Sequence, residues 1–87
     1  MVHGIYAQDF AKVFSRLLEE NDISCYAISQ FTGLDQAYLS RLRGGRKDNP
    51  SVATVIKICL ALAKLGKNIK LPDIEELFHA VGRSIES

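Results

Sequence analysis

Apolar residues along this chain recur at helical spacing. Phe10, Val13, Phe14, Leu17 and Leu18 stand at i, i+3, i+4, i+7 and i+8, the stripe of a first helix. Asp9 is expected at its N-terminal end, where a carboxylate complements the helix dipole, and Asn21 can end it. Ser24 suits the cap of a short second helix, Cys25 to Thr32, with Ala27, Ile28 and Phe31 as its apolar face. Gly33 follows and can take the left-handed conformation that stops a helix without a Cβ penalty. Asp35 caps a predicted third helix, Gln36 to Arg43, with Leu39 and Leu42 inward, and Gly44-Gly45 ends it. A polar loop follows over residues 44–50. Ser51 then caps a fourth helix whose wide apolar face is drawn from Val52, Val55, Ile56, Cys59, Leu60, Leu62 and Ala63. Gly66 and Lys67-Asn68 end that helix. Pro72 is tolerated in the first turn of a fifth, with Asp73, Glu75 and Glu76 favouring that end and Ile74, Leu77, Phe78, Val81 and Ile85 as its stripe. The only strand candidate is a short edge ribbon at Asn68 to Leu71. The pattern predicts an all-α fold, a compact bundle of five helices, with a core over 1–66 and an amphipathic helix in 67–87. That last helix packs on the core or forms a dimer or partner interface.

Composition narrows the class. With 87 residues, 47% hydrophobic and 24% charged, the chain fits one globular domain and excludes a disordered tail or a disulfide-stapled mini-protein. Val52 to Leu65, the longest apolar stretch, is broken by Lys57 and Lys64 and is too short to span a bilayer. Met1-Val2-His3-Gly4 lacks a signal-peptide pattern, and Cys25 and Cys59 form no CxxC. The expectation is a cytoplasmic protein with reduced thiols and no membrane partner.

The net charge of +1 conceals an uneven distribution. Residues 1–40 carry −3, residues 71–87 carry −3, and residues 41–70 carry +7, with Asp48 the lone acid among eight cations. A near-neutral chain can thus present one positive face that attracts polyanions. For Lys57 to Lys70 a solvated surface explains the lysines well enough; Arg41 to Lys47 sit in a more telling context.

That context is CYAISQFTGLDQAYLSRLRG, residues 25–44. A three-residue turn, Gly33-Leu34-Asp35, forces the second and third helices to cross steeply. The crossing needs a small residue on the second helix. Ser29 supplies it, with a hydroxyl expected to bond the carbonyl four residues earlier. With Ile28, Leu34, Leu39 and Leu42 filling the wedge, Gln36, Ala37, Ser40, Arg41 and Arg43 face outward, with Tyr38 beside them. Gln and Arg suit bidentate bonding to adenine and guanine, an alanine methyl can touch a thymine methyl, and one helix fits the DNA major groove.

Ile23-Ser24, TGLDQAYLSRLRGG and NPSVATVIKICLAL together resemble the lambda-repressor/Cro-like helix-turn-helix family, also called the xenobiotic-response-element family, from about Phe10 to Leu65. The resemblance implies a bundle of four or five helices that binds double-stranded operator DNA, usually as a homodimer, and regulates transcription. It maps Gln36, Ala37 and Arg41 onto base-reading positions and Tyr38 onto a contact to phosphate or a base methyl. Ser24 and Cys25 map onto a backbone-phosphate contact, and Arg46, Lys47, Asn49 and Ser51 onto a grip on the far side of the groove. Arg43 stands where the family often has Glu; it adds charge toward phosphate and alters the local salt bridge. Cys25 stands where the phage repressors often have Gln, leaving its backbone N–H as the donor.

Other chemistries find little support. His3 and His79 lack ligand spacing, so no metal or cofactor is expected. Gly44-Gly45-Arg46-Lys47 is not a phosphate-binding P-loop, and no nucleophile–base pair suggests an enzyme. The main alternative to a DNA-binding repressor-like regulator is an antitoxin or adaptor whose main role is protein–protein interaction through residues 67–87, with a possible partner on 73–86. A controller of a restriction–modification locus is a subtype of the first reading.

Overall fold

The computed structural model describes residues 5–46 and 50–81, with side chains from Phe10 onward. Five helices follow in order: α1 (Ile5–Glu20), α2 (Cys25–Thr32), α3 (Gln36–Arg43), α4 (Val52–Leu65) and α5 (Leu71–Ala80). The fold is all-α, with no strand among the described residues. Helix α1 packs on α3 and α5, α2 packs on α3 and α4, and α4 also touches α5.

Local chemistry sets the boundaries. The hydroxyls of Ser24 and Ser51 accept from the backbone N–H groups of Ala27 and Thr54, and the Asp35 carboxylate accepts from that of Tyr38. Two helix ends share one closure, in which a left-handed residue lets the chain fold back on the last carbonyls. After α1, Asp22 is left-handed (φ 55°) and Ile23 N–H bonds Leu18 O at 2.9 Å. After α3, Gly45 is left-handed (φ 75°) and Arg46 N–H bonds Arg41 O at 2.9 Å.

The core joins Phe10, Phe14, Leu17 and Leu18 of α1 to Ile28, Leu39, Leu42, Val55, Ile58, Leu62 and Leu77, all buried. Several sequence expectations shift here. Helix α1 starts at Ile5, so Asp9 falls in its second turn instead of at its start; the Asp9 side chain lies outside the described residues. Phe31 is exposed, because the inward arc of α2 centres on Cys25 and Ile28. On α4 the buried set is Val55, Ile58, Cys59, Ala61 and Leu62, while Val52, Ile56, Leu60 and Ala63 face out. Apolar residues occupy most of that helix's circumference, so periodicity alone does not fix which side turns inward.

No ribbon forms at Asn68 to Leu71: the Asn68 N–H is taken by a buried side chain, that of Lys70 by Asp73, and Leu71 already opens α5. Asn21, far more than a helix terminator, is 4% exposed. Its Oδ1 accepts from the N–H groups of Lys67 (2.9 Å) and Asn68 (2.7 Å), and its Nδ2 donates to Leu17 O (2.9 Å). Gly66 passes so close that a Cβ there would lie 2.5 Å from Ile69 Cγ1 and 2.6 Å from Leu62 O. Helix α5 then starts with Lys70 N–H donating to the Asp73 carboxylate. Leu77, Ala80 and Val81 are buried in the common core, and Ile74 and Phe78 pack against it. Ile85 lies outside the described residues.

Candidate nucleic-acid interface

The turn between α2 and α3 aims the third helix. Gly33 is left-handed at φ 79°, and its N–H closes on Ser29 O at 2.8 Å. The Ser29 hydroxyl donates forward to Leu34 O at 2.6 Å, correcting the expected bond to the preceding turn. Thr32 Oγ1 donates to Ile28 O and accepts from Leu34 N–H. Two hydroxyls and one glycine thus clamp three residues whose polar groups would otherwise need water.

Leu39 and Leu42 are buried and fix the phase of α3. Gln36, Ala37, Ser40 and Arg41 are then exposed together on its outer side, and Tyr38 is half-buried at the margin, packed against the core. No acidic residue occurs between Gln36 and Arg46, so this surface carries only neutral and cationic groups. Acids on α1 and α5 are drawn to one arginine. Arg16 bonds Glu20 (3.2 Å) and Glu76 (2.7 Å), with Asp73 at 3.9 Å, tying α1 to α5.

The phosphate-contact candidates divide. Ser24 and Ser51 are exposed, each with its hydroxyl committed to a helix cap. Cys25 is buried, so its side chain faces the core at the start of α2. Arg46 is exposed just beyond α3. Arg43 is half-buried and drawn onto α1, its guanidinium bonding the Ser15 hydroxyl and Glu19. Lys47 and Asn49 lie outside the described residues. Sequence spacing gave no signal for the Arg43 partners, which stand 28 and 24 positions away.

Two exposed aromatic side chains, Tyr26 and Phe31, lie on α2 and were absent from the sequence-derived site. Burial pushes the Cys59 thiol up from 9.0 to about 11, as suits a cysteine acting as a small core residue. Among the described residues there is no cluster of three or more His, Cys, Asp or Glu placed to hold a metal ion, and no helix long and apolar enough to cross a membrane.

Two short helices joined by a clamped glycine turn, the second with an exposed acid-free face, define a helix-turn-helix domain. A family model described as a Cro/C1-type HTH DNA-binding domain matches residues 14–63, more than half of the chain. The chain belongs to that family, and DNA is the partner the family defines. No curated protein and no solved structure gave a match.

Proposed function

We propose that this chain is a sequence-specific transcriptional regulator, repressor-like, that inserts α3 into the major groove of operator DNA. The observation that carries this reading is the exposed face of α3, where Gln36, Ala37 and Arg41 stand together with no acid among them. Gln36 and Arg41 act as base readers, Ala37 meets a thymine methyl, and Tyr38 lies beside the groove wall. Ser24, Cys25 through its backbone N–H, Arg46, Lys47, Asn49 and Ser51 grip phosphates. Arg43 acts first on α1, as the strut that holds the end of α3.

An eight-residue helix is only ~12 Å long and meets about four base pairs. Two copies related by a two-fold axis would double that reach, which favours a homodimer on a palindromic site. The antitoxin or adaptor reading needs an apolar stripe on α5 free to receive a partner. Burial of Leu77 and Val81 in the chain's own core leaves less of that stripe available, which favours the regulator.

The test begins with selection of preferred duplexes from a random library, followed by mass measurement of the bound species. Arg41→Ala and Arg46→Ala are then compared at one salt concentration. Loss of a base reader is expected to weaken the selected duplex ~5- to 150-fold and relax one base pair, whereas loss of a phosphate contact weakens all duplexes alike. If both variants shift selected and random DNA identically, α3 does not read bases through Arg41.

A further inference from the structure

Successive residues of a helix are turned ~100° apart, so the exposed arc of α3 can be laid out by position. With Gln36 at 0°, Ser40 lies at ~40°, Gly44 at ~80°, Ala37 at ~100° and Arg41 at ~140°. Gln36 and Arg41, the two long polar side chains, therefore mark the edges of the arc. Ser40, Gly44 and Ala37 lie between those edges, with Gly44 nearest the middle.

Neither the hydroxyl of Ser40 nor the missing side chain of Gly44 serves the fold among the described residues. The hydroxyls of Ser15, Ser24, Ser29 and Ser51 all make intramolecular bonds, whereas Ser40 makes none through its side chain among the described residues. Gly44 lies in the ordinary right-handed region (φ −82°, ψ −3°), open to any L-residue. A Cβ built there would meet its nearest atom, Ser40 O, at 3.4 Å, an ordinary contact. The left-handed position that favours glycine belongs to Gly45 instead. Neither backbone conformation nor internal packing accounts for an absent side chain at position 44.

We infer that Ser40 is a specificity-determining residue that reads a base between those met by Gln36 and Arg41, and that Gly44 is the point of closest approach between the end of α3 and the duplex. The inference rests on the reading of α3 as the base-reading helix. The N-terminal part of such a helix lies deepest in the groove and its C-terminal end rises toward the wall. Ser40 then offers one donor and one acceptor to a base edge between the bases met by Gln36 and Arg41. Gly44 faces the sugar–phosphate wall, where a side chain would hold the whole helix off the DNA.

The experiment uses the full chain and the duplex recovered by library selection, with thermal melting run on every variant. Ser40→Ala is expected to lower affinity for that duplex about two- to tenfold, the effect of one uncharged hydrogen bond, and to relax preference at a position between those met by Gln36 and Arg41 on reselection. Gly44→Leu is expected to melt no lower than the parent chain and to lose at least about tenfold in affinity on selected and random duplexes alike; this is the one-decade equivalent of ~1.4 kcal/mol. Gly44→Ala, which adds one methyl, provides a milder variant with a smaller loss of the same kind. Unchanged base preference in Ser40→Ala overturns the first assignment. Full affinity in folded Gly44→Leu or, if that variant does not fold, in Gly44→Ala, overturns the second. If Arg41→Ala relaxes specificity while the Ser40 and Gly44 variants behave as the parent, only this inference falls. If Arg41→Ala also leaves base preference intact, the reading of α3 falls with it.

Discussion

Arg43 reaches back from the last turn of α3 to Glu19 on α1, Nη2 to Oε2, at 3.3 Å. Its Nε donates to the Ser15 hydroxyl at the same distance, so the cation at the end of α3 is paired within the protein.

Releasing that cation gives a clear expectation. The Glu19 side chain is 72% exposed, so the pair is worth less than ~1 kcal/mol to the fold. Glu19→Ala should lower the melting temperature by only a few degrees. It should also steepen the log–log salt dependence of DNA binding by about one, as Arg43 becomes available to a phosphate. Titrations at several salt concentrations check this, and an unchanged slope would leave Arg43 as a strut alone.

The turn glycine makes a second case. A Cβ at Gly33 would meet nothing within 4 Å, so any penalty there comes from φ alone. Gly33→Val should cost at least ~1–2 kcal/mol, whereas Gly33→Asn should cost clearly less, because Asn tolerates the left-handed region. Equal melting temperatures for the two variants would contradict a purely conformational origin.

Such local features were legible in the sequence because their partners lie within a few residues. Ser24, Asp35 and Ser51 each bond a backbone N–H three positions on, and Leu39 and Leu42 alone set the outward face of α3. The inward side of α4 was not legible, since Val52, Ile56 and Leu60 are as apolar as the buried Val55, Ile58 and Leu62. Ser29 had two carbonyls within reach, and only the closed turn selects Leu34. In the site, residue type marks Gln36 and Arg41 as base readers, while Ser40, equally outward by periodicity, carries no such compositional signal. Asn21 was the hardest case, because its acceptor role depends on N–H groups 46 and 47 positions away.

That asparagine can be tested with its neighbour. Asn21→Ala removes the acceptor of two part-buried N–H groups, each costing ~1–3 kcal/mol when left unpaired. Gly66→Ala places a methyl where it would meet Ile69, Leu62 O and Asn21 Oδ1. Both variants should destabilise, and because they damage the same junction, the double variant should lose less than the two effects combined. Denaturant unfolding of the four chains measures this coupling.

Cys59 sets an alkaline dependence. Its thiol titrates near 11 when folded against 9.0 when exposed, so the folded state holds its proton longer. Its contribution is full below pH 9.0 and declines as pH rises from there toward about 11, with a limiting slope of ~1.4 kcal/mol per unit. Cys59→Ala should show a shallower alkaline decline than the parent chain. Parallel stability curves above pH 9 would contradict the assignment.

The seating of α5 on α1 also governs how the chain is made. Helix α1 leaves the ribosome before α5, and part of its apolar surface waits for Leu77 and Val81, about sixty residues later. At ~5–20 residues per second that delay lasts roughly 3–12 s, during which the nascent chain displays adhesive surface to chaperones and to neighbouring chains. An excised fragment limited to residues 14–63 would leave the α5-facing side of α1 uncovered permanently, since it lacks α5 altogether.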